Sequence, residues 1–257
     1  VIAIKGIGGF HLMCDANSDQ AITKIRAIKR RPDKPLALMV QDIQMAKDLS
    51  HLTEEEIKTL QNPYAPIVIA KRKEAPSYPI SPYVAGTLPH FGIMLPYTPL
   101  HHLILQQCNK PLVLTSANLS KEPIIFHDGD VIEKLGPYIN LFLTHDRPIV
   151  NPVEDSVLKF SAGEMRMIRR SRGYIPFQMR MLSQRNNLLA LGGHLKNSIA
   201  FYDGDHIHCS TYLGDLDSYE NQQRFESELK KWQPTEKDVE ILADNHPNYG
   251  YQFIVPD

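Results

Sequence analysis

Cysteine is scarce in this 257-residue chain: Cys14, Cys108 and Cys209 lie far apart and form no CxxC pair. That spacing argues against a disulfide framework or a four-cysteine zinc site, and it fits a reducing cytosol. No apolar run approaches the ~20 residues that a membrane helix needs. No signal-peptide pattern is present either, so a cytoplasmic protein with no membrane partner is expected. Charge of either sign is not in excess. With 28 Lys and Arg against 29 Asp and Glu, the net charge is -1. Nor do aromatic and basic residues interleave, so a nucleic-acid surface is not favoured, although RNA binding stays open. The acidic residues form no evident catalytic dyad. Chemistry here would therefore rest on positioning and on neutralising phosphate charge.

What is present is an ordinary globular composition, 42% hydrophobic and 22% charged, at a length comfortable for two domains. Val1-Ile2-Ala3-Ile4-Lys5 reads as a strand already under way, so the sequence is expected to be a piece of a longer chain. Basic residues gather twice, at Lys29, Arg30, Arg31 and Lys34 and again at Arg166, Arg169, Arg170 and Arg172. Two separated basic clusters in a neutral chain suit a pocket for a small anion.

Along the chain, the glycine-rich Gly6-Ile7-Gly8-Gly9 follows the first strand. Ser18 is placed to cap a helix with the apolar stripe Ala21, Ile22, Ile25 and Ile28, ended by Pro32. A strand over 36–40, a helix over 42–49 and a capped helix from Thr53, with Glu56 completing a capping box, come next. A strand over 66–70 precedes residues 72–92, which lack periodicity and predict a long surface loop. Thr98-Pro99 opens a helix to about Cys108. A strand over 112–114 then empties into Thr115-Ser116-Ala117-Asn118. A helix near 130–135 and strands near 139–143, 156–160 and 164–169 complete a first unit. The polar stretch 179–187 predicts a linker. Beyond it come a strand over 188–191, a hairpin through Asp203-Gly204, an amphipathic helix over 218–232 and a strand over 241–243. Strands alternating with helices, then clustered, predict a mixed α/β sheet.

Three constellations could carry chemistry. In Lys29-Arg30-Arg31-Pro32-Asp33-Lys34-Pro35, cations at a helix end could grip phosphates, or could simply offset the helix dipole. Thr115-Ser116-Ala117-Asn118 puts hydroxyl and amide groups at a strand's carboxyl end, where ligands bind in α/β proteins, though an ordinary turn reads the same way. Ile168-Arg169-Arg170-Ser171-Arg172-Gly173-Tyr174 crowds arginines that call for an anion or for solvent. His101 and His102 point about 100° apart on a helix and do not converge on a metal. His11 is the better pocket contact.

Jointly these pieces resemble the YrdC-like family of carbamoyl- and threonylcarbamoyl-adenylate synthases. Its KxR motif is similar to Lys29-x-Arg31 and its SxN motif to Ser116-x-Asn118. Asp155-Ser156-Val157 and Arg169-Arg170 look like its closing motifs around the ATP phosphates. Within that family, the runs Lys5-Gly6-Ile7-Gly8-Gly9-Phe10-His11-Leu12, Met94 to His102, Arg169 to Pro176 and Gly193-His194-Leu195-Lys196-Asn197 resemble HypF-type hydrogenase-maturation proteins over the whole chain. Glu154 stands where those proteins commonly carry Asp. Their acylphosphatase domain and zinc-finger motifs are not in the sequence, and the metal-binding histidines of the transferase domain would lie beyond residue 257.

The resemblance implies a YrdC-like mixed twisted sheet flanked by helices over 1–180, its first strand truncated, then part of an actin/sugar-kinase-like α/β transferase domain over 186–257. It implies that a carbamate from carbamoyl phosphate attacks the α-phosphate of ATP, giving carbamoyl-adenylate and pyrophosphate. The carbamoyl group would then pass to the C-terminal cysteine of HypE, as precursor of the cyanide ligands of nickel–iron hydrogenase. Lys29, Arg31 and Lys34 would hold phosphates, and Ser116 and Asn118 the adenylate or carbamoyl group. Arg169 and Arg170 would hold the polyphosphate, with magnesium assisting. Lys5, His11, Thr115, Ser156, Lys196 and Asn197 complete the expected nucleotide contacts. Threonylcarbamoyl-adenylate synthases of tRNA modification are the nearest alternative. Their loop usually reads P-T-x-T-x-Y-G-L, and this chain lacks those hydroxyls at residues 5–12. Antibiotic O-carbamoyltransferases tend to place the transferase-type domain first, the reverse order. Some YrdC-like proteins bind double-stranded RNA, a third alternative.

Overall fold

A computed structural model describes residues 1–120, 122–181, 187–232, 239–246 and 249. The chain divides into two compact units. One comprises Val1–Ser120 with Ile124–Gly173, the other Lys121–Pro123 with Tyr174–Asp257. Among the described residues no helix is long and apolar enough to cross a membrane.

The first unit is one mixed sheet with helices. Its strands are β1 (Ile2–Lys5), β2 (Phe10–Asp15), β3 (Ala37–Met39), β4 (Ser50–His51), β5 (Ile67–Arg72), β6 (His90–Met94), β7 (Leu112–Ser116), β8 (Phe142–Leu143), β9 (Val157–Ser161) and β10 (Glu164–Arg169). They lie in the order β10-β9-β5-β6-β3-β7-β2-β1-β8, with β4 pairing β5. The helices are α1 (Asp19–Lys29), α2 (Ile43–Leu49), α3 (Glu54–Leu60), α4 (Pro99–Cys108) and α5 (Asp128–Leu135). Alternation along β2 and β7 explains the two apolar layers. Phe10, Leu12, Cys14 and Val113 face the core that holds Ile22, Ile25 and Ile28 of α1. Met13, Leu112 and Leu114 face Leu105 of α4. Full burial of each such side chain contributes about 1.5–3 kcal/mol.

Local chemistry sets the helix ends. Ser18, Asp42 and Thr98 each accept a backbone N–H at their helix start, and Thr53 with Glu56 forms the complete capping box. α1 stops at Arg30, whose φ of 44° is left-handed, two residues before the Pro32 expected to end it. The expected surface loop over 72–92 is not all surface: Val84 and Ala85 are buried in the main core, and β6 begins at His90. Strand β2 also forms where the sequence read only as a glycine loop and its sequel. It is buried along almost its whole length, so no polar alternation marks it.

The second unit is a sheet in the order β11-β14-β13-β12-β15. Its strands are β11 (Phe177–Arg180), β12 (Leu188–Ala190), β13 (Ala200–Tyr202), β14 (His206–Cys209) and β15 (Glu240–Leu242), with α6 (Tyr219–Trp232) between the last two. Phe225 and Leu229 of α6 pack with Leu189, Leu191 and Ile199. Because β11 pairs with β14, the first residues of the expected linker stretch belong to this sheet, and the compact boundary falls at Gly173 rather than residue 180. Residues 182–186 of that stretch lie outside the described residues.

Candidate active site

The site in the first unit begins at the C-terminal end of α1. Lys29 is buried there, 6% exposed, and its Nζ donates to the Ser116 carbonyl at 2.6 Å and to Asn118 Oδ1 at 2.6 Å. Ser116 Oγ donates to the same Asn118 oxygen at 2.8 Å. The KxR and SxN motifs, 87 residues apart for the Lys29–Ser116 bond, therefore meet at the end of β7. Burial, then the nearby Arg31, lowers Lys29 to about 7, against the pull of Glu154. Burial also lowers Arg31 to about 10, aided by Arg26 and Arg169 and opposed by Glu154. Lys29, Arg31, Arg169 and Glu154 thus share one electrostatic neighbourhood. Arg169 pairs with Glu154 and donates from Nε to the Asp155 carbonyl at 2.8 Å.

The glycine loop brings the acidic segment here. Gly8 accepts a hydrogen bond from Val153 N at 2.9 Å, and a Cβ on Gly8 would lie 2.3 Å from the Val153 carbonyl oxygen. Only glycine allows that approach. The glycines serve packing, and the approach sets Asp155 beside His11, with Oδ2 3.4 Å from His11 Nε2. Asp155 Oδ1 accepts from Arg172 Nη2 at 2.9 Å. Burial raises this carboxyl, but His11 and Arg172 outweigh it and hold it far below the usual carboxylate range. Arg172 also donates to the Tyr64 and Ala65 carbonyls at 2.7 Å each and lies 3.7 Å over the Tyr97 ring. His101 is fully buried against Tyr97, and neither ring nitrogen has a partner among the described residues. Burial, with His11 nearby, pushes His101 down to about 3, while His102 is exposed, so the two do not act as a pair.

Other expected contacts serve the fold. Ser156 is fully buried, donating to the Arg172 carbonyl at 3.0 Å and accepting from Ser171 N at 2.8 Å. It is a strut inside the site and offers a ligand nothing. Lys5 is buried and tied to Asp128 at 2.9 Å and to the His145 carbonyl at 2.9 Å. Thr115 precedes Ser116 on a pleated strand, so its side chain lies on the face opposite that of Ser116, the one that Val113 turns toward α1. Lys34 is exposed on the loop after α1, and Arg170 is half-buried just past β10. Lys196 and Asn197 belong to the second unit. Lys196 is exposed with φ 53°, and its N–H donates to Asp215 Oδ1 at 2.8 Å. Asn197 is buried, its amide bracing the Leu191 and Gly193 carbonyls at 2.8 Å each.

Four participants escaped the reading of the sequence: Arg26, Arg172 as the partner of Asp155, Tyr97 and His101. Arg26 lies one helical turn before Lys29, yet an arginine in a last helical turn reads as a dipole partner. Half-buried Tyr97 and buried His101 lie in a run that otherwise reads as a helix start. Among the described residues no group of three or more His, Cys, Asp or Glu could hold a metal ion.

A protein-family profile described as "Telomere recombination" (Sua5, YciO and YrdC) matches residues 1–171, and one described as "HypF Kae1-like domain" matches 183–255. "Carbamoyltransferase HypF" of Synechocystis is 41% identical over 97% of this chain and 33% of its own length. "Threonylcarbamoyl-AMP synthase" of Vibrio campbellii is 31% identical over 53% of this chain and 75% of its own. The crystal structure of full-length HypF in the phosphate- and nucleotide-bound form superposes with a TM-score of 0.90 at 35% identity, covering 96% of this chain and 33% of that one. The chain spans about a third of the length of the HypF relatives it matches. The chain belongs to the Sua5/YciO/YrdC family, in the form found in the HypF carbamoyltransferases, where a HypF Kae1-like domain follows.

Proposed function

We propose that the first unit forms carbamoyl-adenylate from ATP and carbamate derived from carbamoyl phosphate. The observation that carries this reading is the direct bond from Lys29 to Asn118, with Arg31 and Arg169 gathered in the same neighbourhood. A carbamate oxygen attacks the α-phosphorus, the bond to the bridging oxygen breaks, and pyrophosphate leaves. The excess negative charge of that step falls where Lys29, Arg31 and Lys34 stand, with Arg169 and Arg170 toward the departing pyrophosphate. Ser116 and Asn118 hydrogen-bond the carbamoyl group. Glu154 and Asp155 are each engaged by an arginine, so they do not suit a metal; the nucleotide's own phosphates would hold magnesium, which would offset their charge. In the whole protein the carbamoyl group passes on through the transferase domain to the C-terminal cysteine of a HypE-like acceptor, toward the cyanide ligands of nickel–iron hydrogenase.

Lys29→Ala or Arg31→Ala should abolish carbamoyl-phosphate-dependent ATP–pyrophosphate exchange, and exchange at an undiminished rate would reject the assignment. The likeness to threonylcarbamoyl-AMP synthase supports a second reading, in which threonine and bicarbonate replace carbamoyl phosphate. Pyrophosphate release with one substrate pair and not the other decides between them. The names of the relatives lend double-stranded RNA binding no support.

A further inference from the structure

After Arg30 the chain leaves the helix, and residues 31–35 enter no strand, so their carbonyls need partners from elsewhere. One side chain supplies three of them. Arg26 Nη1 donates to the carbonyls of Arg31 at 2.7 Å, Pro32 at 2.7 Å and Lys34 at 3.2 Å. On its other edge, Nε and Nη2 donate to the Tyr83 carbonyl at 2.9 and 2.6 Å, and Nη2 reaches that of Val84 at 3.4 Å. Each nitrogen of the guanidinium is engaged by a carbonyl, and its N–H donors are used up inside the protein. Arg31 differs. Its Nε and Nη2 bond the Lys34 and Pro35 carbonyls, while Nη1 has no hydrogen bond among the described residues and can meet an anion. The segment carrying Arg31 and Lys34 is thus moulded around Arg26 and fastened to Tyr83 and Val84, inside the stretch that read as a surface loop.

We infer that Arg26 is a positioning residue for the phosphate-gripping loop. It fixes the shape of residues 31–35 and touches no substrate, and it sets where Arg31 and Lys34 stand relative to Lys29. Lysine cannot replace it, because a single ammonium cannot span two carbonyl groups on opposite edges of a planar fork. This inference rests on the reading of the loop as a phosphate site.

The test uses Arg26→Lys and Arg26→Gln in the whole chain, with thermal melting to establish that each folds. If Arg26→Gln fails to fold, the lysine variant carries the test. In ATP–pyrophosphate exchange, KM for ATP should rise at least about tenfold while kcat changes less than about threefold. The Arg31 and Leu36 amides, which donate to the Arg26 and Val84 carbonyls, should exchange hydrogen faster, and those of α4 should not. Unchanged KM in both variants would overturn the inference, as would equal losses in KM and kcat without any change at the Arg31 and Leu36 amides. Should the unmodified chain exchange no pyrophosphate, the proposed reaction fails, and binding of inorganic pyrophosphate by calorimetry then judges Arg26 separately. About tenfold weaker binding in the variants supports it, and equal affinity, or no binding to the unmodified chain, refutes it.

Discussion

His11 stands directly opposite Ser116 across the β2–β7 ladder. Paired residues of an antiparallel ladder send their side chains to the same face. The hydroxyl of the SxN motif therefore shares a face with the imidazole held by Asp155, and that histidine links two groups of residues. One is the cationic group at the end of α1; the other is buried Asp155 with the largely buried Arg172 and Tyr97. A change at Asp155 should accordingly be felt at Ser116.

Asp155 and Arg172 are nearly buried, with side chains 10% and 11% exposed. Asp155→Ala leaves the guanidinium buried without its counter-ion, and the loss should be about 3–5 kcal/mol in urea unfolding. The sign with pH follows from the lowered carboxyl. Its contribution is complete above the unfolded value near 3.8 and is lost as pH falls toward the folded one. The variant should therefore lack part of the acid sensitivity of the parent. A variant of unchanged stability would sink this account.

Burial lowers Lys29 to about 7, whereas a bound triphosphate favours its charged form. ATP binding at pH 8 should take up a proton, and affinity should weaken between pH 7 and pH 9. Calorimetry in buffers of different ionisation heat measures the uptake, and Lys29→Met should remove it. Zero uptake in the parent chain contradicts the burial argument. In unfolding, the sign is separate. The unfolded chain binds the extra proton between about 7 and the free-lysine value of 10.5, so this group's contribution to stability rises with pH across that window.

Gly8→Ala would drive a Cβ to 2.3 Å from the Val153 carbonyl oxygen, and backbone must move. A loss of about 1–3 kcal/mol is expected. Exchange activity should fall with it, because residues 153–155 carry Asp155 to His11. A fully active, fully stable Gly8→Ala protein would show that the approach is dispensable.

Thr53→Ala supplies the contrast. The capping box of α3 is complete, so its loss should cost about 1 kcal/mol in unfolding. No site residue lies on α3, and the rate of pyrophosphate exchange should stay unchanged. A large loss of activity would tie α3 to the site.

Much of the fold was legible because local signals are strong where they occur. Ser18, Asp42, Thr53 and Thr98 mark four helix starts, and the stripe of α1 is regular. Strands β2 and β6 were not legible. Burial on both faces erased alternation in β2, and β6 follows a stretch rich in Pro, Ser and Gly. At the site, residue type told that Lys29, Ser116 and Asn118 suit one ligand, and the fold joins them. It could not tell that Lys5 and Ser156 would spend their polar groups on their own chain. Those partners, Asp128 and Ser171, lie 123 and 15 residues away and become neighbours only through the sheet. Arg26 was hidden for the same reason.

The parallel pairing of β5 with β9 has a consequence for synthesis on the ribosome. Lys29 and Arg31 emerge early, whereas Glu154, Asp155, Arg169 and Arg172 emerge more than 120 residues later. Until they arrive, the nascent domain carries cations without their counter-charges, and β5 has only β6 and the short β4 beside it. The β9–β10 end of the sheet is thus the last part of it to be synthesised, and a chain cut short before Arg172 has most of the core and lacks the buried partner of Asp155.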